Sequence, residues 1–300
     1  MDMTHNKCCR HGASLRRKRC RRRKILRSII FSCSIIAVAV FVAVGSSMIR
    51  SGDDRTNKYD VEAGNNTYDN AVIENSKISE KNKIQNNQSM LDDIMNSTQY
   101  PKQLQDLALK NEEALEFVYD YPAEHVKEHT IDLTEEASMD SVPLFVQWDK
   151  RWGYEKYSGN FFAASGCGPT TLSMVVVYLT HNREASPIAV AKYSKEAGYS
   201  VDGSGSSWTL ISEGCMHYGV KAKAVALDES RMKAELDEGH PIVVNVGPGD
   251  FTDTGHFMVI TGYDDEGFSI NDPNSIEKSG KRWLFKNISS QIRAVWSMYV

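Results

Sequence analysis

A turn of small residues leads directly into an apolar helix at residues 165–180, which read SGCGPTTLSMVVVYLT. Pro169 suits the first turn of a helix, where its missing N–H costs no hydrogen bond. The apolar residues after it recur at the i, i+3, i+4, i+7 spacing of a buried helical face. Because Val and Thr favour helices only weakly, we expect tertiary packing to hold this helix in place. The residues of the buried face are Leu172, Val175, Val176 and Leu179.

The sequence after this helix divides into further helices and then strands. Helical patterns cover residues 186–198, 207–218 and 229–238, and the Gly/Ser turn DGSGSS separates the first two. The period then changes to that of strands, in PIVVNVG, HFMVITGY, FSIND and RAVWSMYV. Helices first and strands second predict an α+β domain.

Cys167 lies at the start of the first helix, between Gly166 and Gly168. Unpaired N–H groups and the positive end of the helix dipole favour an anion at this position. The thiolate is the reactive form of cysteine, and a helix N-terminus lowers a thiol pKa below its usual value of about 8.5. The flanking glycines allow backbone and substrate to approach closely. The pattern predicts a nucleophile, and the alternative is a small buried core residue, as free Cys often is.

A cysteine nucleophile needs a base, and His256 is the best placed histidine. It begins the strand HFMVITGY, directly after the glycine-rich loop GPGDFTDTG at residues 247–255. Asp272 follows 16 residues later, at the end of the next strand, and a hairpin through DDEG would return it to His256. An acid there would fix the tautomer and orientation of the imidazole. The alternatives are a satisfied strand residue for His256 and an Asx turn before Pro273 for Asp272.

The motifs SGCGPTTLSM, TGHFMVITGY and NDPN resemble the bacteriocin-processing cysteine peptidase family, whose members cut after double-glycine leaders. The similarity covers about residues 142–300 and is greatest to the stand-alone, secreted or membrane-anchored relatives of that family. It implies a papain-like fold, with a helical half and an antiparallel β half on either side of the active site. It also implies that Cys167 is the nucleophile, His256 the base and Asp272 the orienting acid.

One part of the family pattern is displaced in this sequence. In the leader-processing enzymes a Gln shortly before the nucleophile helps to form the oxyanion hole, and here Phe161 and its neighbours occupy that step. Gln147, in FVQWDKRWG, is the remaining candidate. A Gln amide can donate to an oxyanion, although a Gln is also often a plain surface residue. The 300 residues contain no ATP-binding cassette or multi-span region, so we do not expect leader cleavage coupled to export.

Residues 28–49 form an uncharged run in which sixteen residues are apolar and six are Ser or Gly. A bilayer core about 30 Å thick is crossed by about 20 such residues in a helix. Residues 1–27 carry eleven Lys or Arg and one acid, whereas the rest of the chain carries 24 bases and 38 acids. Because positive residues remain on the cytoplasmic side, we expect a single-pass protein of the cell membrane with an extracytoplasmic C-terminal domain. The alternative is a cleaved secretory signal, whose apolar core is normally only about 7–15 residues long.

Two segments separate the apolar run from the C-terminal domain. Residues 50–90 are rich in Asn, Asp, Lys, Ser and Glu, which predicts a disordered linker. Residues 91–140 carry apolar residues near helical spacing and predict a helical neck, either packed on the domain or free-standing. The predicted order is a basic cytoplasmic head at 1–27, a transmembrane helix at 28–49, the linker, the neck, and a papain-like cysteine peptidase domain at 141–300.

The sequence therefore predicts a membrane-anchored cysteine peptidase outside the cytoplasm, acting on a peptide or protein substrate. The basic head precedes an apolar run, which favours a topological signal over a nucleic-acid partner. Cys167, His256 and Cys215 lack the spacing of a zinc site, so we predict no metal and no cofactor. The alternatives are a catalytically silent binding module, in which loop 247–255 is a candidate lid, and an amidase or acyltransferase acting on cell-wall or isopeptide bonds.

Overall fold

The computed structural model describes residues 67–300, with side chains from residue 80 onward. Residues Glu74–Val300 form one compact unit. The predicted head and transmembrane segment, residues 1–49, lie outside the described residues. Among residues 67–300, no helix combines the length and the apolar character that crossing a bilayer requires.

The N-terminal part of the described chain is largely helical. Helix α1 includes residues 67–90, which corrects the prediction of a disordered linker for those positions. The prediction relied on low hydrophobicity, but Glu, Lys and Gln are good helix formers even where nothing covers them. At the C-terminal end of α1, Ile94 is fully buried. The helices are α1 (Thr67–Asn96), α2 (Lys102–Lys110), α3 (Leu115–Tyr119), α4 (Tyr121–Glu124) and α5 (Thr134–Ser138), with a 3-10 turn at Glu112–Ala114.

The neck, residues 91–140, packs on the domain that follows it, within the unit Glu74–Val300, and is not a free-standing stalk. The ring of Phe117 stacks on that of Tyr154, with centroids 4.2 Å apart, and Tyr154 Oη donates to the Phe117 carbonyl at 2.8 Å. The neck side chains form one apolar cluster with Phe161 and Ala163, which come shortly before Cys167. The buried neck members are Ile94, Leu104, Leu107, Ala108, Ala114, Leu115, Phe117 and Val118.

Helix α7 (Cys167–Thr180) lies at the centre of the helical half and is buried along most of its length. Thr171 Oγ1 donates to the Phe257 carbonyl at 3.1 Å, which ties this helix to the sheet. The predicted helix at 207–218 is divided at Glu213, where the backbone leaves the helical region. The other elements of this half are β1 (Lys156–Tyr157), β2 (Asn160–Phe161), α6 (Phe162–Ser165), α8 (Pro187–Glu196), β3 (Ser200–Val201), β4 (Gly205–Ser206), α9 (Thr209–Ser212) and a 3-10 helix at Gly214–Tyr218.

The β half is a six-stranded antiparallel sheet in the order β5-β10-β6-β7-β8-β9. The prediction of an α+β fold with an antiparallel sheet is confirmed, and four of the six strands match the predicted ones. The strands are β5 (Lys221–Ala224), β6 (Ile242–Val246), β7 (His256–Asp264), β8 (Gly267–Asn271), β9 (Arg282–Trp283) and β10 (Ile292–Tyr299). The helices along this half are α10 (Glu229–Asp237), α11 (Ile276–Ser279) and α12 (Phe285–Ile288), and a 3-10 turn at Ser289–Gln291 precedes β10.

Successive residues of a strand point to opposite faces of the sheet, and apolar side chains cover both faces. On one face Phe257 and Val259 pack in the cluster that includes α7. On the other face Met258 and Ile260 pack in a second cluster, which includes Met232 of α10. The first residue of β7 and the first residue of α7 are thereby held on neighbouring rigid elements.

Candidate active site

Cys167 is the first residue of α7, and its thiol interacts with the imidazole of His256, the first residue of β7. Cys167 is half-buried, and His256 is buried. Phe162 and Ser206 crowd the two glycines beside Cys167. A Cβ on Gly166 would lie 2.6 Å from the Phe162 ring, and one on Gly168 would lie 2.5 Å from Ser206 Oγ. Glycine is therefore required on both sides of the cysteine by close packing.

His256 and Asp272 form a buried hydrogen bond, with His256 Nε2 and Asp272 Oδ1 2.7 Å apart. The hairpin of β7 and β8 makes this contact, because it pairs Val259 with Asn271 and leaves Asp272 beside the start of β7. Since Nε2 contacts Asp272, the other ring nitrogen is left for Cys167. Asp272 Oδ1 also accepts from Asn274 N at 2.8 Å, which is an Asx turn. Asp272 therefore both contacts His256 and forms the Asx turn, which the sequence had presented as alternatives.

Interactions among Cys167, His256 and Asp272 shift the pKa of His256 and the pKa of Cys167 in opposite directions. Burial disfavours the imidazolium of His256, but the Asp272 charge and hydrogen bond, with the Cys167 contact, outweigh burial and raise the pKa of His256 to about 10. Burial likewise disfavours the Cys167 thiolate. The hydrogen bond and charge of His256, with the N–H groups of Phe257 and Gly168, reverse that effect and lower the pKa of Cys167. Both shifts favour a thiolate beside an imidazolium.

Gln147 is buried and links the two sides of this site, so it is not a surface residue. Its backbone N donates to the Pro273 carbonyl at 2.7 Å, directly after Asp272. Its side-chain Nε2 donates to the Ala163 carbonyl at 2.7 Å, four residues before Cys167. A Gln Nε2 carries two hydrogens, so this contact leaves one hydrogen for another acceptor.

Side-chain contacts hold loop 247–255 against the domain. Phe251 is buried, with its ring centroid 4.5 Å from that of Trp283. Gln291 binds Asp250 twice, because its Oε1 accepts from Asp250 N at 2.7 Å and its Nε2 donates to Asp250 Oδ2 at 2.6 Å. These contacts do not favour the lid that the glycine-rich sequence suggested.

The thiol of Cys215 differs from that of Cys167 in its burial and in the direction of its pKa shift. Cys215 is fully buried in the cluster around α7, and burial raises its pKa to about 11. Within residues 67–300, no group of three or more His, Cys, Asp or Glu side chains is arranged to hold a metal ion.

Several residues at the site were not singled out by the sequence. Asn274, inside the NDPN motif, donates to Asp272 through its backbone, and Trp148 Nε1 donates to the Asn274 carbonyl at 3.1 Å. Two neck residues, Asn111 and Glu113, also contact this segment. The motif could have indicated Asn274, but no local signal marks the neck residues.

Comparison with known proteins agrees with the motifs. The model of the Peptidase_C39 like family matches residues 139–300. The crystal structure of the peptidase domain of Streptococcus ComA, a bi-functional ABC transporter involved in a quorum sensing pathway, is similar at 20% identity and a TM-score of 0.37, covering 45% of this chain and 90% of that one. A protein from Bacillus anthracis described as a C39-like peptidase is similar at 18% identity and a TM-score of 0.33, covering 53% of this chain and 95% of that one. A search of curated proteins found no match.

The family match extends over more than half of the 300 residues and includes Cys167, His256 and Asp272. The resemblance to the bacteriocin-processing peptidases, first indicated by three short motifs, is thereby confirmed. The chain belongs to the Peptidase_C39 like family.

Proposed function

We propose that this protein is a cysteine peptidase that hydrolyses peptide bonds through Cys167, His256 and Asp272. The observation that carries the proposal is the arrangement in which the Cys167 thiol interacts with His256, whose Nε2 lies 2.7 Å from Oδ1 of the buried Asp272 carboxylate. A nucleophile, a base in contact with it and a third group that orients the base are the recurring parts of such sites. Membership of the Peptidase_C39 like family supports the same activity.

The charges of the three groups define the first step. Asp272 stabilises the protonated form of His256, and this imidazolium stabilises the thiolate of Cys167. The thiolate attacks the carbonyl carbon of the substrate, and the carbonyl oxygen becomes an oxyanion. When the C–N bond breaks, the leaving amine takes a proton from His256 and a thioester to Cys167 remains.

The second step regenerates the enzyme. Neutral His256 accepts a proton from water as the water oxygen attacks the thioester carbon. Collapse of this intermediate releases the carboxyl product and returns the Cys167 thiolate beside the imidazolium. The substrate is a peptide or a protein, as the family implies.

Gln147 is our candidate for a donor to the oxyanion. Its contact with Ala163 holds the amide near the start of α7 and leaves one N–H unused by that bond. The backbone N–H of Cys167, at the N-terminus of the same helix, is the second candidate donor.

We also propose that residues 28–49 anchor the enzyme, with the peptidase domain outside the cytoplasm. The length and apolar character of this run, and the eleven basic residues before it, support this arrangement.

The ion pair between Cys167 and His256 predicts how the alkylation rate of Cys167 depends on pH. Cys167 is protonated below its lowered pKa and forms the ion pair above it, up to the raised pKa of His256 at about 10. Iodoacetamide should therefore label Cys167 of the full chain rapidly at pH 6, at least about tenfold faster than in His256→Ala. Mass spectrometry of the labelled peptides gives both rates, and Cys215 is the internal control for a buried thiol. Labelling of Cys167 that rises only near pH 8–9, as for a free thiol, would contradict the ion pair.

The peptidase reaction predicts new peptide termini that depend on the triad. We expect the full chain, incubated with a peptide mixture from a whole-proteome digest, to produce cleavage products that Cys167→Ala and His256→Ala do not. Mass spectrometry of the mixture is the measurement. If no products form although Cys167 is alkylated rapidly, the result would indicate that the enzyme acts on acyl bonds other than those of peptides. An absence of both would favour the silent binding module.

The role of Gln147 predicts a loss of turnover. Gln147→Ala should reduce kcat by about 10²–10³-fold on a cleaved peptide, because one donor to the oxyanion is lost. KM should change little, since the oxyanion forms only during the reaction. The alkylation profile of Cys167 in the same variant is the control, because it does not involve an oxyanion. A wild-type kcat would exclude Gln147 from the oxyanion hole.

The membrane topology predicts which cysteines a reagent outside the cell can reach. Val126 is 73% exposed, so Val126→Cys supplies a reporter on the domain. In a Cys167→Ala background, a membrane-impermeant maleimide should label this reporter on intact cells but should label Cys8, Cys9 and Cys20 only after permeabilisation. The reverse pattern would contradict the topology, and a mature chain lacking the first residues would indicate a cleaved signal.

A further inference from the structure

We propose that two neck residues, Glu113 and Asn111, position Asp272 and thereby set the reactivity of Cys167. The inference rests on the proposed function, because it concerns how the triad is held. Both residues precede residue 139, where the family match begins. They are positioning residues, since their contacts are with the segment that carries Asp272 and not with reacting atoms.

The Glu113 carboxylate fastens the chain just after Asp272. Its Oε2 accepts from Ile276 N at 2.7 Å and from Glu277 N at 3.0 Å, the first two residues of α11. Its Oε1 accepts from the hydroxyl of Ser275. Hydrogen bonds to an ionised carboxylate are about twice as strong as neutral ones. One half-buried side chain therefore holds three consecutive residues of this segment.

Asn111 completes the connection between the neck and Asp272. Its Oδ1 accepts from Glu113 N at 3.0 Å, which fixes the backbone of Glu113. Its Nδ2 donates to the Asn274 carbonyl at 2.9 Å and lies 3.1 Å from Asn274 Oδ1. Asn274 N in turn donates to Asp272 Oδ1, the oxygen that His256 Nε2 contacts. A series of neighbouring hydrogen bonds thus connects the neck to Asp272 and His256.

The part of this segment that forms α11 depends on the Glu113 contacts, because apolar packing holds it weakly. Ile276 is 51% exposed, and α11 has no buried residue. Within the segment, Ser275 N donates to the Asp272 carbonyl at 3.2 Å, and Asp272 N donates to Ser279 Oγ at 2.9 Å. These bonds shape the turn from within. Besides the neck, Gln147 N and Trp148 Nε1 bind it, at the Pro273 and Asn274 carbonyls.

The neck is itself a firm support. Its apolar cluster includes Phe161 and Ala163, so it packs beside the residues that lead into Cys167. The same segment therefore contacts the chain before the nucleophile and the chain after the orienting acid. Freeing the second contact should let Asp272 Oδ1 move away from His256, which would destabilise the imidazolium and then the thiolate.

The test is the pH dependence of Cys167 alkylation in the full chain carrying Glu113→Ala. We expect the rate at pH 6 to fall about tenfold and the acid limb of the profile to move up by about one pH unit. Glu113→Gln keeps an oxygen acceptor but not the charge, so it should recover part of the rate. Glu112→Ala is the matched control, because it removes an exposed carboxylate one residue away, which accepts from Asn87 Nδ2. Its profile should match that of the wild type.

A second variant separates positioning from folding. Asn111→Ser keeps a side-chain oxygen for Glu113 N but removes the amide donor to Asn274, and it should shift the profile in the same direction. Thermal unfolding and the labelling of Cys215 report whether each variant is folded. If Glu113→Ala unfolds, Glu113→Gln and Asn111→Ser decide, and wild-type profiles in both would overturn the inference. A folded Glu113→Ala with the wild-type profile would overturn it as well. A wild-type chain without rapid labelling at pH 6 would instead overturn the proposed function.

Discussion

A carboxylate removed from water is costly unless charges or hydrogen bonds compensate it, and Asp272 is fully buried. Its Oδ1 lies 2.7 Å from His256 Nε2 and 2.8 Å from Asn274 N. Two features of the fold supply the partners of Oδ1. The β7–β8 hairpin returns the chain to the first residue of β7, and the chain turns directly after β8 so that the Asn274 N–H reaches the carboxylate. The same contact favours the imidazolium of His256, which in turn favours the thiolate of Cys167.

The two cysteines of the domain show that burial and charge compete. At Cys215 burial acts with little opposition and raises the thiol pKa to about 11. At Cys167 burial acts in the same direction, but the imidazolium of His256 and the N–H groups of Phe257 and Gly168 outweigh it. A thiolate is therefore favoured at one position and disfavoured at the other, because a positive partner faces only the first.

The region that carries the motifs is smaller than the unit that holds the site together. The family match begins at residue 139, yet the neck before it shares an apolar cluster with Phe161 and Ala163. Asn111 and Glu113 of the neck reach the segment that follows Asp272. The candidate site is thus supported from outside the motifs, by a segment whose composition indicated only that it was helical.

Local patterns were sufficient for most elements and for the contact between His256 and Asp272. The spacing of apolar residues within α7 and β7 follows from the geometry of each element, and the His256–Asp272 contact follows from a hairpin between consecutive strands. Three features depended on the fold. The strands β5 and β9 are too short to show a period and form against the edges of β10 and β8. Gln147 is buried by contacts with Ala163 and Pro273, and Asn111 binds Asn274 from 163 positions away in the chain. Contacts between such distant segments leave no periodic signal, because they arise only when the separate elements pack together.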